Sequence, residues 1–428
     1  MPSLLKSATY ATLFTAAVAS VTYYRYTTIS AETQSVPPPT KIPELIVSPA
    51  KPVEKKAVSQ ATVAAPGTNP HKEIAMTAEP SKIQVAILLD VSNSMDGLIE
   101  QAKAQLWNMV SVLGKAKCDG QAPRVELALY EYGRLTNKVG KGYVEQISPF
   151  TTDLDLVSRN LFRLNTNGGD EYCGQVMLTS LSELPWSGGN NNYKVIFIAG
   201  NEDFLQGSIP FTKACVLAKQ KGVIVNTIYC GDRMQGIREH WNLGSECGNG
   251  SYTFINSDAR IQDIATPYDQ PLIELNEKLN KTYVGYGRKA AEGKAMQEQV
   301  DQANYKVHSS VAVKRISVKG KKELYRNDSW DLVDAEAANP GFVTTVKPGD
   351  LPDTLKGKSP EEIKKYIHTL SADRDRIQKE IAALSVKREA FLTQARSENS
   401  SNTDQTLETE VEKIIRQQAA RFNMKLDK

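Results

Sequence analysis

Four stretches of this chain are almost wholly apolar: residues 83–90 (Ile-Gln-Val-Ala-Ile-Leu-Leu-Asp), 125–132, 195–199 and 223–229. Short apolar runs bounded by turn residues read as strands buried on both faces, the pattern of a parallel sheet. Between them the apolar positions recur at helical spacing, near 97–113, near 154–164, from a Gly-rich loop up to Leu184, and near 237–243. Residues 143–147 read as a short polar edge strand and 252–255 as a last strand. Strands alternating with helices over 81–268 predict an α/β fold, a mostly parallel central sheet with helices on both faces.

Beyond residue 268 the period changes. Residues 272–300 read as one long helix, 309–318 as strand-like, and 340–352 as a break rich in Pro and Gly, with Trp330-Asp331-Leu332-Val333-Asp334 between the last two. Ser359 then has the character of an N-cap, with Pro360 at the first helical position and Glu361 and Glu362 in the first turn. Ile363, Ile367, Leu370, Arg374, Ile377, Ile381, Leu384, Arg388 and Phe391 follow at alternating spacings of four and three, a heptad seam. The predicted helix, 360–396, is coiled-coil-like and roughly 50 Å long. Arg374 and Arg388 interrupt its seam, against a plain two-stranded zipper. A second helix, 407–422, either folds back on it as a hairpin or leaves it free for self-association. The region 269–428 is thus expected to be mainly helical.

The N-terminus adds an export signal. Lys6 precedes an uncharged stretch, 7–24, that Arg25 ends, and Ala17, Ala19 or Ala31 suits a signal peptidase. Residues 1–31 are read as a secretory signal, with a retained membrane anchor as the alternative. Residues 32–80 are dominated by Pro, Ala, Thr, Val, Ser and Lys and lack the apolar content to fold. A flexible linker of about fifty residues spans roughly 40 Å. Localisation outside the cytoplasm, in the periplasm or cell envelope, follows. A net charge of +3 over 428 residues gives no nucleic-acid footprint.

Candidate chemistry gathers at strand ends. Asp90 closes the first strand, and Ser92 and Ser94 follow at spacings of two and four. In open α/β sheets ligands bind at that end. One carboxylate and two hydroxyls are hard oxygen donors suited to Mg²⁺ or Ca²⁺, with Mn²⁺ also possible. Two further loops offer oxygens: Asn167-Gly168-Gly169-Asp170-Glu171-Tyr172-Cys173-Gly174, and Gly200-Asn201-Glu202-Asp203. Asp170 and Asn201 are the expected ligands from them, with Glu202 and Asp203 as auxiliaries on the rim. Glu171 is read as a solvated first-turn acid. No Gly-x-Ser-x-Gly elbow, P-loop or paired-Asp phosphoryl-transfer motif occurs, and the four histidines are scattered, so no catalysis is expected. Five cysteines leave at least one unpaired; Cys173, Cys230 and Cys247 are the candidates for a bridge, and Cys215 is read as a buried small hydrophobe.

The Asp-x-Ser-x-Ser tail of residues 90–94, with the Gly-Gly-Asp and Ile-Ala-Gly-Asn-Glu loops, resembles the metal-ion-dependent adhesion site of von Willebrand factor type A domains. The resemblance covers 81–268 and is to exported bacterial members. It implies a six-stranded Rossmann-like sheet and a bound divalent cation. The partner is expected to be a protein that offers an acidic side chain to that cation. Two positions depart from the family pattern: Asp170 stands where Thr is usual, and Asn201 where Asp is usual. The carboxylate count is conserved between them, so a hard divalent ion can still be neutralised.

Overall fold

The computed structural model describes residues 81–118, 120–189, 191–256, 264–398 and 407–426. The expected signal and linker lie outside these residues. The first half of the chain folds as β1 (Lys82–Asp90), α1 (Asp96–Leu113), β2 (Ala116–Cys118), β3 (Arg124–Tyr132), β4 (Glu145–Thr151), α2 (Leu154–Arg163) and α3 (Cys173–Glu183). It continues through β5 (Tyr193–Gly200), α4 (Phe211–Lys221), β6 (Ile224–Cys230), α5 (Arg233–Arg238), α6 (Trp241–Cys247) and β7 (Tyr252–Ile255). Six of these strands form one sheet in the order β4-β3-β1-β5-β6-β7, all parallel except the edge strand β4. This is the expected Rossmann-like α/β architecture. The order reverses direction at β1, which has β3 on one side and β5 on the other, and the crevice at such a switch point is where ligands sit.

Alternation along β1 shows why the sheet is buried on both faces. Ile83, Val85 and Leu89 enter one core with Leu106, Trp107 and Val110 of α1, while Ala86 and Leu88 enter a second with Val176 and Met177 of α3. Cys215 and Cys247 form a disulfide that ties α4 to α6. That corrects the sequence reading: Cys247 bonds neither Cys230 nor Cys173, whose thiols are buried. The two helices lie side by side under β6, so their cysteines meet although 32 residues separate them.

The second half is helical: α7 (Asp269–Asn280), α8 (Ala290–Val307), α9 (Ser309–Lys319), α10 (Leu332–Ala338), α11 (Pro360–Glu398) and α12 (Leu407–Ala419), followed by β8 (Met424–Leu426). Two expectations fail here. The long helix over 272–300 is broken between α7 and α8, where Gly285 approaches Ala290 and Gly287 adopts a positive φ of 65°. The strand-like 309–318 is a helix, α9, whose Val311, Ala312, Arg315, Ile316 and Lys319 are buried at helical spacing. Its β-branched residues suggested alternation, and packing overrode that propensity.

Arginines in the heptad seam act as docking anchors. Arg374 of α11 bonds Asp331 at 2.7 Å, Asp334 at 2.6 Å and the Thr282 carbonyl at 2.7 Å. Arg388 bonds Asp269 at 2.7 Å. The seam therefore packs within the chain, on α7, α9 and α10. α12 does not form the hairpin: it returns to the sheet, where Val411, Ile414 and Ile415 join the first core. Gln418 of α12 accepts from Tyr193 Oη at 2.9 Å and donates to Asn226 at 2.6 Å, and β8 pairs antiparallel with β2. Residues 407–426 thus complete the sheet-bearing unit from the far end of the chain. Arg315, wholly buried on α9, bonds Asp155 of α2 and Asp301 of α8 and lies 4.6 Å over the Trp107 ring. Among the described residues, no helix is long and apolar enough to cross a membrane.

Candidate metal centre

Parallel pairing brings Asp90 opposite Tyr132 of β3, at the carboxyl end of β1. Its side chain is wholly buried, and Oδ1 accepts a 2.7 Å hydrogen bond from the Ser92 backbone N–H. Ser92 Oγ lies 3.2 Å from Ser94 Oγ, and Ser94 Oγ lies 3.2 Å from Nδ2 and 3.3 Å from Oδ1 of Asn201. Asp90, Ser92, Ser94 and Asn201 therefore converge from the ends of the two strands that flank the switch point. Ser94 is exposed and Asp90 is not, so the cluster runs from the floor of the crevice to its mouth.

The loop over residues 165–172 closes the third side. The Asn167 backbone N–H donates to the Val91 carbonyl at 2.8 Å, and the Gly168 N–H to Asn93 Oδ1 at 2.8 Å. A Cβ at Gly169 would lie 2.7 Å from the Gly133 carbonyl oxygen, so this close approach of two loops requires glycine. Gly133 itself has a φ of +81°, and a Cβ there would lie 2.9 Å from Asp90 Oδ1 and 3.0 Å from Glu171 Cγ.

Glu171, not Asp170, enters the site. Asp170 is exposed and its Oδ2 accepts from Tyr172 Oη at 2.9 Å, whereas Glu171 is 5% exposed beside Asp90. Side chains of consecutive non-helical residues diverge, so only one of these two acids can face the crevice, and composition does not say which. The one local signal was the apolar Tyr172-Cys173 that follows, since a residue leading into a buried helix start is itself drawn inward. The charge of Glu202 on the rim also acts on Asp90 and Glu171. Asp203 accepts from the Leu205 N–H and is paired with His240 Nδ1 at 2.9 Å, and Glu202 is exposed. Cys173 Sγ lies 3.9 Å from Tyr132 Oη beneath the cluster.

Electrostatics set what this arrangement can do. Burial raises the Asp90 carboxyl above the usual carboxylate range, opposed by hydrogen bonds with Glu171 and Ser92. Glu171 is raised as well, first by burial and then by its hydrogen bond with Asp90 and that residue's charge. Asp90 Oδ2 and Glu171 Oε2 are buried without any hydrogen-bond donor. Two adjacent carboxylates with orphaned oxygens and two serine hydroxyls are a donor set that fits a hard divalent cation. Asp90 and Glu171 would hold it from below, with Ser92, Ser94 and Asn201 on the open side. Among the described residues no three His, Cys, Asp or Glu side chains converge, so hydroxyl, amide or water oxygens must complete the shell.

The pH dependence follows from the sign of these shifts. Folded carboxyls raised above their unfolded values stabilise the fold fully at acid pH, and that contribution is lost as pH rises toward the folded values. The cation-free protein should therefore melt at higher temperature near about pH 5 than near about pH 8, a difference that saturating Mg²⁺ or Ca²⁺ removes. A Glu171→Gln variant that keeps the full difference would assign it to other groups.

Neither the protein-family models nor the curated proteins contain a match to the chain. Solved structures do match. One is a von Willebrand factor type A protein from Catenulispora acidiphila, at 13% identity over 41% of this chain and 39% of that one, TM-score 0.30. Another is proximal thread matrix protein 1 from the mussel byssus with a zinc-occupied MIDAS motif, at 12% identity over 41% and 42%, TM-score 0.32. A third is an aerotolerance-related membrane protein from Bacteroides fragilis, at 18% identity over 41% and 93%, TM-score 0.29. The chain thus spans about two fifths of the length of the byssus protein. The fold itself is fixed by strand order and direction.

Proposed function

We propose that this chain is a non-enzymatic, divalent-cation-dependent protein-binding module of the von Willebrand factor type A kind, displayed outside the cytoplasm. The observation that carries the reading is the pair of orphaned, buried oxygens of Asp90 and Glu171, beside Ser92 and Ser94 at the switch point of the sheet. A cation held from below by two carboxylates keeps attraction for a third, and an interface that excludes water strengthens it. The partner is therefore a protein that presents an acidic side chain to the crevice mouth. The Cys215–Cys247 disulfide supports an oxidising compartment, in keeping with an exported chain.

A second reading, a structural envelope protein whose sheet binds no cation, is favoured by one observation. The Glu171 carboxyl is raised by burial and by its hydrogen bond with Asp90, and a proton held there would also relieve the repulsion without a cation. Capture from an envelope extract separates the two. Partners retained with Mg²⁺ or Ca²⁺, released by EDTA and absent with Asp90→Ala support the module; equal capture in every arm contradicts it.

A further inference from the structure

At the opposite end of the sheet lies a cleft of about 530 Å³ that the metal centre does not use. Its lining includes Lys194, Lys219, Lys221 and Arg421, and no acidic residue. Among the described residues none of these four cations forms an ion pair, whereas Lys82 and Arg124 both face Glu126. We propose that this cleft is an anion site that takes a phosphate group.

Lys194 is the best evidence that the site is built. It belongs to β5 and is only 5% exposed, and burial lowers its ammonium pKa, with the Lys221 charge adding to that. Lysine is rarely buried without a counter-charge. Its Nζ donates to the carbonyls of Ser187 and Lys221, which accounts for two of its three N–H bonds. The third is left for the cleft. Both loops that Lys194 holds carry glycines at the wall: Gly189 and Gly222 have positive φ, of 80° and 63°. Gly188 is open as well, with nothing within 4 Å of a Cβ built there, so a ligand can reach the backbone.

The chemistry of the occupant follows from charge and geometry. Four cations without a carboxylate attract an anion of more than one charge, and ammonium and guanidinium groups together match the oxygens of a phosphate. The cleft also sits beside the start of β1, where the Lys82 backbone N–H donates to Asn192 Oδ1 at 2.8 Å. A soluble phosphate and the phosphate of an anionic lipid share this chemistry.

The test uses the full-length chain and Lys219→Glu/Lys221→Glu, which alters exposed or half-buried side chains only, with Lys194→Met as a second variant. Pyrophosphate is titrated calorimetrically at constant ionic strength, and sedimentation is measured with phosphatidylglycerol and with phosphatidylcholine vesicles. The expected result is saturable pyrophosphate binding, weakened at least tenfold in both variants, while melting in Mg²⁺ is unchanged in the double variant. Extra sedimentation with phosphatidylglycerol that the double variant loses assigns the phosphate to a lipid; sedimentation equal in both chains assigns it to a soluble ligand. Pyrophosphate binding that is absent, or the same in wild type and variants, overturns the proposal. The double variant leaves the Asp90 cluster intact, so failure here and failure of the cation reading are separable.

Discussion

Glu171→Gln raises the melting temperature of the cation-free protein and removes most of the rise that Mg²⁺ or Ca²⁺ produces. The two effects have one cause. Without a cation, burial and the Asp90 charge force Glu171 to hold a proton that it would lose in the unfolded chain, and each carboxyl keeps one oxygen without a donor. A neutral amide of the same shape removes that protonation cost, a gain of about 1–2 kcal/mol if one raised carboxyl becomes irrelevant to folding. With a cation, the same amide withdraws one full negative charge from the shell. At a separation near 4 Å in a partly screened site, that charge is worth about 2–4 kcal/mol, or roughly a thirty- to thousandfold loss in affinity. Calorimetric melts with EDTA and with 5–10 mM-scale additions, on the order of millimolar, read both effects together. Asp170→Asn, by contrast, should leave both melts unchanged, because Asp170 is exposed and bonded to Tyr172. If Asp170→Asn abolishes the cation shift and Glu171→Gln does not, the assignment of the inner acid is wrong.

Arg374→Ala releases the long helix from the rest of the C-terminal region. The guanidinium is 4% exposed, bonds two aspartates and a carbonyl, and lies 4.0 Å over the Tyr283 ring. Removing it leaves the buried Asp331 and the half-buried Asp334 without their counter-charge, and breaking one side of such a buried pair costs about 3–5 kcal/mol. Asp331 also caps α10 and accepts from the Val284 N–H at 2.6 Å, so the damage spreads to the turn before α8 and to α10. Limited proteolysis should cut within residues 340–380 well before the sheet is attacked, with a first unfolding transition at lower urea. An unchanged urea curve would mean that the apolar seam alone holds α11.

The chain's pattern of apolar positions gave the sheet and its helices almost directly, because strands buried on both faces leave little ambiguity in period. Asp90, Ser92 and Ser94 were legible for the same reason: they leave a strand whose end is unmistakable. Glu171 was not, since the choice between two adjacent acids is made by the path of the loop over Gly133 and Gly169. The C-terminal region was read least well. A heptad seam states that one face of a helix is buried, but not against what, and here the cover comes from α7, α9 and α10 of the same chain. The return of α12 to the sheet rests on contacts across more than a hundred residues, such as Gln418 with Asn226 and Glu410 with Thr253. Local periodicity carries no trace of them.

Manganese offers the most direct view of the central claim, because free and bound Mn²⁺ differ in their electron paramagnetic resonance spectra. Titrated into the wild-type chain, Mn²⁺ should lose its free signal up to one equivalent, with Mg²⁺ or Ca²⁺ displacing it, and Asp90→Ala should bind none. Full retention of the free signal in the wild type, or equal uptake by Asp90→Ala, would contradict a cation site at the end of β1.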